Sequence, residues 1–191
     1  MKEQLEYFIR TSLKNPKDDE IKEILEIFRI KEFAKGDHFK KKDKVCNKLG
    51  FILEGSARHY LLKKNGTDIT GRVSQRNNFL TDFISVRTKA VTPMGIEILE
   101  PSTLLVASVK NVEVLLETNL TFNRLIRDYM AEGLVEMGKM YLFFLTGTAK
   151  ERYEFIIEKN PSLLKNIPLR FIASMIGITP TQLSRIRKKK D

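Results

Sequence analysis

An α+β fold is predicted for this 191-residue chain: an N-terminal jelly-roll β domain, one long helix, and a C-terminal helix-turn-helix. Three observations predict it. Between Arg29 and Ser108 the hydrophobic pattern breaks into short runs separated by turn residues. From Phe122 to Leu145 it keeps a helical period without interruption. Residues 169–188, LRFIASMIGITPTQLSRIRK, place a small residue, a glycine and apolar side chains where two short, steeply crossed helices need them.

At the N-terminus, Leu5, Phe8, Ile9 and Leu13 recur at helical spacing, and Pro16 ends that segment. Asp18 or Asp19 can cap a second short helix that has Ile21, Ile24, Leu25 and Phe28 on its apolar side. The period then changes, with breaks at Gly36-Asp37, Glu54-Gly55, Asn65-Gly66, Pro93-Met94-Gly95 and Pro101-Ser102. Strands are expected over residues 50–53, 57–63, 68–73, 96–99 and 104–109. Asn65-Gly66 is the strongest hairpin signal, because both turn positions must accept positive φ. Many short strands at this spacing suggest a sandwich or jelly roll. The run Lys40-Lys41-Lys42 reads as a solvated loop. His59 reads as a packing residue in an alternating strand rather than a base.

On the long helix one apolar stripe runs Phe122, Ile126, Tyr129, Gly133, Met137, Met140 and Phe144. A second runs Met130, Leu134, Tyr141 and Leu145. So wide an apolar arc must bury two sides. One side can cover the β domain. The other suits a second copy of the same helix, since spacings of four and three approximate a heptad seam. The first stripe is taken as the dimer seam, with Gly133 allowing close approach; burial within one chain is the competing reading. Thr146-Gly147-Thr148 makes a hinge, and a further helix over 149–159 uses Tyr153, Ile156 and Ile157.

In the last segment Ala173 is the small contact residue, Gly177 makes the turn, and Ile172, Ile176, Ile178, Leu183 and Ile186 close a miniature core. Thr179 is a good N-cap, Pro180 suits the first helical position, and Gln182 completes a Thr-x-x-Gln capping box. The outer face is polar and basic: Thr181, Ser184, Arg185, Arg187 and Lys188. Arg185 can offer two nitrogens to guanine, with Thr181 and Ser184 beside it at base edges. Thr179, Gln182 and Lys188 are placed for phosphate, and Lys189 and Lys190 for solvent. The competing reading is a helical hairpin with a solvated basic tail.

Composition agrees with a polyanionic partner. Hydrophobic residues make up 42% and charged residues 30%, ordinary for a soluble protein, yet the net charge is +10. The single cysteine, Cys46, excludes an intrachain disulfide and any four-cysteine metal or iron–sulfur site from this chain alone. No signal-peptide core and no apolar run of membrane-spanning length is present, so a cytoplasmic location without membrane association is expected. The only histidines are His38 and His59. No glycine-rich phosphate loop, nucleophile motif or metal spacing occurs, so neither an enzyme nor a metal or cofactor site is expected.

The order of elements resembles the Crp–Fnr superfamily of bacterial transcription regulators. Phe33-Ala-Lys-Gly-Asp-His resembles the family's opening strand and glycine turn. Leu49-Gly-Phe-Ile-Leu-Glu-Gly-Ser-Ala-Arg-His-Tyr, followed by Lys64-Asn-Gly-Thr-Asp-Ile, resembles its central strands and hairpin, and residues 172–188 resemble its DNA-binding motif. The resemblance implies a cyclic-nucleotide-binding-like β roll with N-terminal helices over 1–118. It implies a linking and dimerisation helix over 119–146 and a winged-helix-type helix-turn-helix domain over 147–191. A dimer reading an inverted repeat in double-stranded DNA is implied, with RNA polymerase as a further partner.

There are departures. The family's nucleotide binders carry a Gly-Glu pair and, about ten residues on, an Arg-Ser or Arg-Thr pair that hold ribose and cyclic phosphate. The matching stretch here, from Asn77-Asn-Phe-Leu-Thr-Asp-Phe to Val91-Thr-Pro-Met, has no Gly-Glu. Arg87-Thr88 follows Asp82 too closely for the second pair and reads as a solvated loop. The cysteines of the oxygen-sensing branch and any haem-type arrangement are missing. The expected effector is an unidentified small molecule or none. Pro180 and Thr181 replace the arginine and glutamate of the best-known members, so the operator should differ from theirs. The alternative is a ligand-binding signalling module whose C-terminal helices dock a protein.

Overall fold

The computed structural model describes residues 1–188; Lys189 and Lys190, expected in solvent, lie outside that range. Two helices, α1 (Lys2–Ser12) and α2 (Asp18–Ile27), precede the strands. The strands are β1 (Arg29–Phe33), β2 (His38–Lys40), β3 (Lys48–Glu54), β4 (Ser56–Leu62), β5 (Asp68–Gln75), β6 (Phe79–Leu80), β7 (Gly95–Ile98) and β8 (Ser102–Ser108). A short helix, α3 (Phe83–Thr88), lies between β6 and β7. They form two four-stranded antiparallel sheets ordered β1-β8-β3-β6 and β2-β7-β4-β5, the crossed order of a jelly roll.

All five expected strands are present. Those the pattern missed are short or lie at a sheet edge: β1, β2 and β6. In β1, Arg29, Ile30, Lys31 and Glu32 are all exposed, so no alternation marks it. β3 is apolar on both faces because both are covered. Ile52 meets Leu104, Ile96, Ile98 and Ala57 between the sheets, whereas Leu49, Phe51 and Leu53 meet α1 and α2 through Leu5, Ile9, Ile24 and Phe28. Gly50 lets the Phe39 ring pack closely there, since a Cβ would stand 3.0 Å from it.

After β8 come α4 (Val109–Thr118) and the long α5 (Leu120–Thr146), capped by Asn119, whose side chain accepts the Phe122 N–H at 2.8 Å. No helix among the described residues is long and apolar enough to cross a membrane. Gly147 is extended, and Thr148 then opens α6 (Ala149–Lys159) with a capping box to Glu151. The chain closes with α7 (Leu163–Asn166), α8 (Leu169–Met175) and α9 (Pro180–Lys188). The implied winged type is represented by its helices; among the described residues no strand follows β8, and short turns link α6, α7, α8 and α9 in succession.

Two local expectations are corrected. Arg87 stands in the last turn of α3, not in a loop. Lys40 is not solvated: its side chain is 2% exposed and its Nζ lies 2.8 Å from Asp82 Oδ2. Phe39 and Lys40 are neighbours and both buried, because the pairing of β2 with β7 is irregular between His38 and Lys40, and a buried carboxylate receives the lysine.

Candidate nucleic-acid interface

The turn between α8 and α9 is built as its residues require. Gly177 has φ +72°, the left-handed conformation that glycine adopts without a Cβ penalty. The Gly177 N–H bonds to the Ser174 carbonyl at 3.1 Å and the Ile178 N–H to that of Ala173 at 3.0 Å, closing the C-terminus of α8. Ile172, Ala173, Ile176 and Leu183 are fully buried beneath, with Ile178 and Ile186 packed at the margin. The predicted capping box is present. The Thr179 N–H donates to Gln182 Oε1 at 2.9 Å, and the Gln182 N–H to Thr179 Oγ1 at 3.2 Å. That cap occupies the Gln182 oxygen, leaving its amide nitrogen for any ligand.

Thr179, Thr181, Gln182, Ser184, Arg185, Arg187 and Lys188 are all exposed on or just before α9. Among the described residues, no ion pair involves Arg185, Arg187 or Lys188. The result is an uncompensated basic helix face with hydroxyls beside it.

Arg152, which the sequence did not single out, supports this unit from α6. Its Nε donates to the Ile176 carbonyl at 3.0 Å and its Nη1 to that of Gly147 at 3.1 Å, with the guanidinium 4.9 Å from the Phe144 ring centre. The Thr-x-x-Glu box marks the helix start in the sequence; no local pattern says that the next residue reaches the turn.

The long helix spends its first stripe inside the chain. Phe122 is fully buried with Leu125, and Ile126 and Tyr129 pack on the same core. Tyr129 Oη accepts the Phe79 N–H at 3.1 Å. Met140 joins the core of the C-terminal helices, and Phe144 lies against Gly177. Phe122, Ile126, Tyr129 and Met140 are therefore not an open seam: the start of α5 roofs the β roll and Met140 joins the helical core, while Phe144 touches the turn yet stays 44% exposed. Of the expected stripe Gly133, Met137 and Phe144 remain open. The second stripe is exposed: Met130, Leu134, Tyr141 and Leu145, with Val135 and Leu142 alongside. Nothing lies within 4 Å of a Cβ built on Gly133 or Gly138.

Within the β roll, Asp82 caps α3 through the Ser85 N–H at 3.1 Å and is fully buried. Thr92 donates its hydroxyl to the same carboxylate, and Lys40 donates to Thr92 Oγ1 and to the Met94 carbonyl, each at 2.6 Å. Burial opposes ionisation of Asp82, but hydrogen bonds from Lys40, Thr92 and Ser85 outweigh it and hold the carboxyl below its ordinary range. The carboxylate faces a lysine of its own chain. His59 is pushed down to about 4 by burial, with Arg72 adding to the effect, so it is neutral near pH 7.

A jelly roll roofed by a long helix and followed by a helix-turn-helix is the fold of the Crp–Fnr regulators. Solved structures with this fold include FixK2 from Bradyrhizobium japonicum (TM-score 0.72, 14% identity, 85% of this chain and 84% of that one). They also include a CooA variant from Carboxydothermus hydrogenoformans (TM-score 0.68, 15% identity, 87% and 77%). A protein from Eubacterium rectale described as a transcriptional regulator of the Crp–Fnr family matches likewise (TM-score 0.68, 14% identity, 94% and 84%). No family model matches the chain, and no curated protein matches it in sequence.

Proposed function

We propose that this protein is a cytoplasmic, sequence-specific DNA-binding transcription regulator without enzymatic activity. The observation that carries this reading is the exposed, unpaired basic face of α9, held rigid by its capping box and the buried core beneath it. Arg185 reads guanine, Thr181 and Ser184 meet neighbouring base edges, and Thr179, the Gln182 amide and Lys188 contact phosphate. The chain works in three parts: a β roll over 1–118, a connecting helix over 119–146 and a DNA-binding part over 147–191. Two copies pair along α5, but through Met130, Leu134, Met137, Tyr141 and Leu145, because Phe122, Ile126, Tyr129 and Met140 of the first stripe are spent internally. Such a dimer presents two α9 helices to an inverted repeat in successive major grooves, roughly 34 Å apart. RNA polymerase is the further partner this role entails. Any effector of the β roll differs from cyclic AMP.

Selection of bound sites from random DNA by the purified chain tests the reading. An inverted repeat is expected, with binding that falls steeply as salt rises through counterion release. Failure to enrich any sequence, with capture of a protein through the C-terminal helices instead, would favour the docking-module alternative.

A further inference from the structure

The DNA-binding part does not hang from the hinge alone; it is docked on the β roll, and one arginine organises the contact. Arg58 lies on the outer face of β4 with a side chain only 7% exposed. Its Nη1 and Nη2 reach the Asp68 carboxylate at 2.7 and 2.6 Å, its Nε reaches Glu97 at 2.7 Å, and Nη1 also reaches Thr70 Oγ1 at 3.0 Å. With its donors engaged in the sheet, the guanidinium plane is fixed. One ring lies 4.9 Å from it, that of Tyr60, and another 4.2 Å from it, that of Phe171 on α8. Phe171 belongs to the first helix of the helix-turn-helix and to its core.

Two further contacts surround this one. The β4–β5 register skips Gly71, pairing His59 with Arg72 and Tyr60 with Thr70. Beside this bulge the Thr70 N–H donates to Ser174 Oγ at 2.9 Å. At the far end of β5, Ser162 donates to Gln75 Oε1 at 2.9 Å, and Val73 packs against the helical core between them.

We infer that Arg58 is a positioning residue for DNA reading: held by Asp68 and Glu97, it anchors Phe171 and so sets where α9 sits relative to the β roll and the long helix. The inference rests on the proposed DNA-binding role. Two reading helices engage one repeat only if both are held at a fixed separation. Arg152 fixes the turn to the hinge, but the hinge itself joins α5 to α6 through two extended residues, Gly147 and Thr148, so a second anchor on the β roll determines the angle. Arg58→Lys keeps the charge but not the planar stacking surface or the fork that both carboxylates need.

The test compares wild type with Arg58→Lys, Arg58→Met and Phe171→Leu on the selected repeat and on versions with one base pair inserted or removed at its centre. Wild type should prefer its native spacing strongly. The variants should lose about tenfold in affinity at native spacing, as expected when a desolvated cation–π interaction is removed, while their preference among spacings flattens. An equal loss on all spacings with the preference intact overturns the inference, because a merely structural role lowers binding without changing geometry. A second measurement needs no DNA. Backbone hydrogen exchange in 169–175 and 68–75 should quicken in the variants, while that in 49–53 stays protected. Unchanged exchange in both segments overturns the docking role even where DNA affinity falls. If wild type selects no DNA, the functional reading falls and with it the positioning role, while the exchange result decides the docking separately.

Discussion

Lys40 Nζ and Asp82 Oδ2 stand 2.8 Å apart with side chains 2% and 0% exposed, a closed ion pair inside the β roll. Both charges keep hydrogen bonds to Thr92, and Lys40 also reaches the Met94 carbonyl. Breaking one side leaves the other charged and buried. Lys40→Met should destabilise the fold by about 3–5 kcal/mol, and the double variant Lys40→Met/Asp82→Leu should recover much of that loss. Urea unfolding of both at pH 7 checks it; a single variant within 1 kcal/mol of wild type, on the order of a surface change, would contradict the burial argument.

The same pair bears on the effector. The stretch from Asn77 to Met94 offers a cyclic phosphate no Gly-Glu pair for its ribose, and the Asp82 carboxylate there has the wrong sign for its charge and is already taken by Lys40. Cyclic AMP should show no heat of binding in a calorimetric titration at physiological concentrations. Micromolar affinity would overturn this.

His59 links stability to pH. Its folded pKa, about 4 through burial and Arg72, lies below the ordinary 6.5. The unfolded chain therefore binds its proton first as pH falls, so stability is complete above about 6.5 and declines between 6.5 and 4, by at most about 3 kcal/mol. His59→Gln should flatten unfolding free energy over that window. Asp82, whose carboxyl is held low, acts in the same direction at more acid pH and should remain in the variant. An unchanged slope in His59→Gln would show that another group titrates there.

The open stripe on α5 predicts a dimer. Leu134 is 64% exposed in the single chain, so Leu134→Glu should leave the monomer's stability near wild type while placing like charges at the seam. Gly133→Glu should act alike, since its Cβ meets open space. Light scattering should find wild-type dimers at micromolar concentration and monomers for both variants, with weak DNA binding. A monomeric wild type would remove the paired reading helices from the proposal.

On α9 two substitutions separate reading from holding. Arg185→Ala should cost about 1–3 kcal/mol at the selected site and relax one base position in each half-site. Lys188→Ala should weaken all sequences alike and make the salt slope shallower by about one for each phosphate no longer neutralised. Equal losses for Arg185→Ala on cognate and scrambled DNA would show that this helix does not read bases there.

What the sequence by itself determined is whatever depends on neighbours along the chain. The Gly177 turn, the Thr179–Gln182 cap, the hairpin around Asn65-Gly66 and the periods of the central strands and long helix are local, and the structure keeps them, although in that hairpin only Gly66 takes the positive φ expected of both turn residues. The small Ala173 and the apolar positions around it were legible because two helices so close together can meet in few ways.

Tertiary structure decided what each surface is used for. Both α5 stripes are apolar, and only the fold shows that Phe122 and Tyr129 roof the β roll while Leu134 and Tyr141 stay open. A lysine run reads as solvent-facing until a carboxylate 42 residues away, Asp82, is brought to Lys40. Arg58 and Phe171 lie more than a hundred residues apart in sequence and meet at 4.2 Å. Burial and charge pairing at such separations are set by how the sheets close and the helices dock, which local periodicity does not encode.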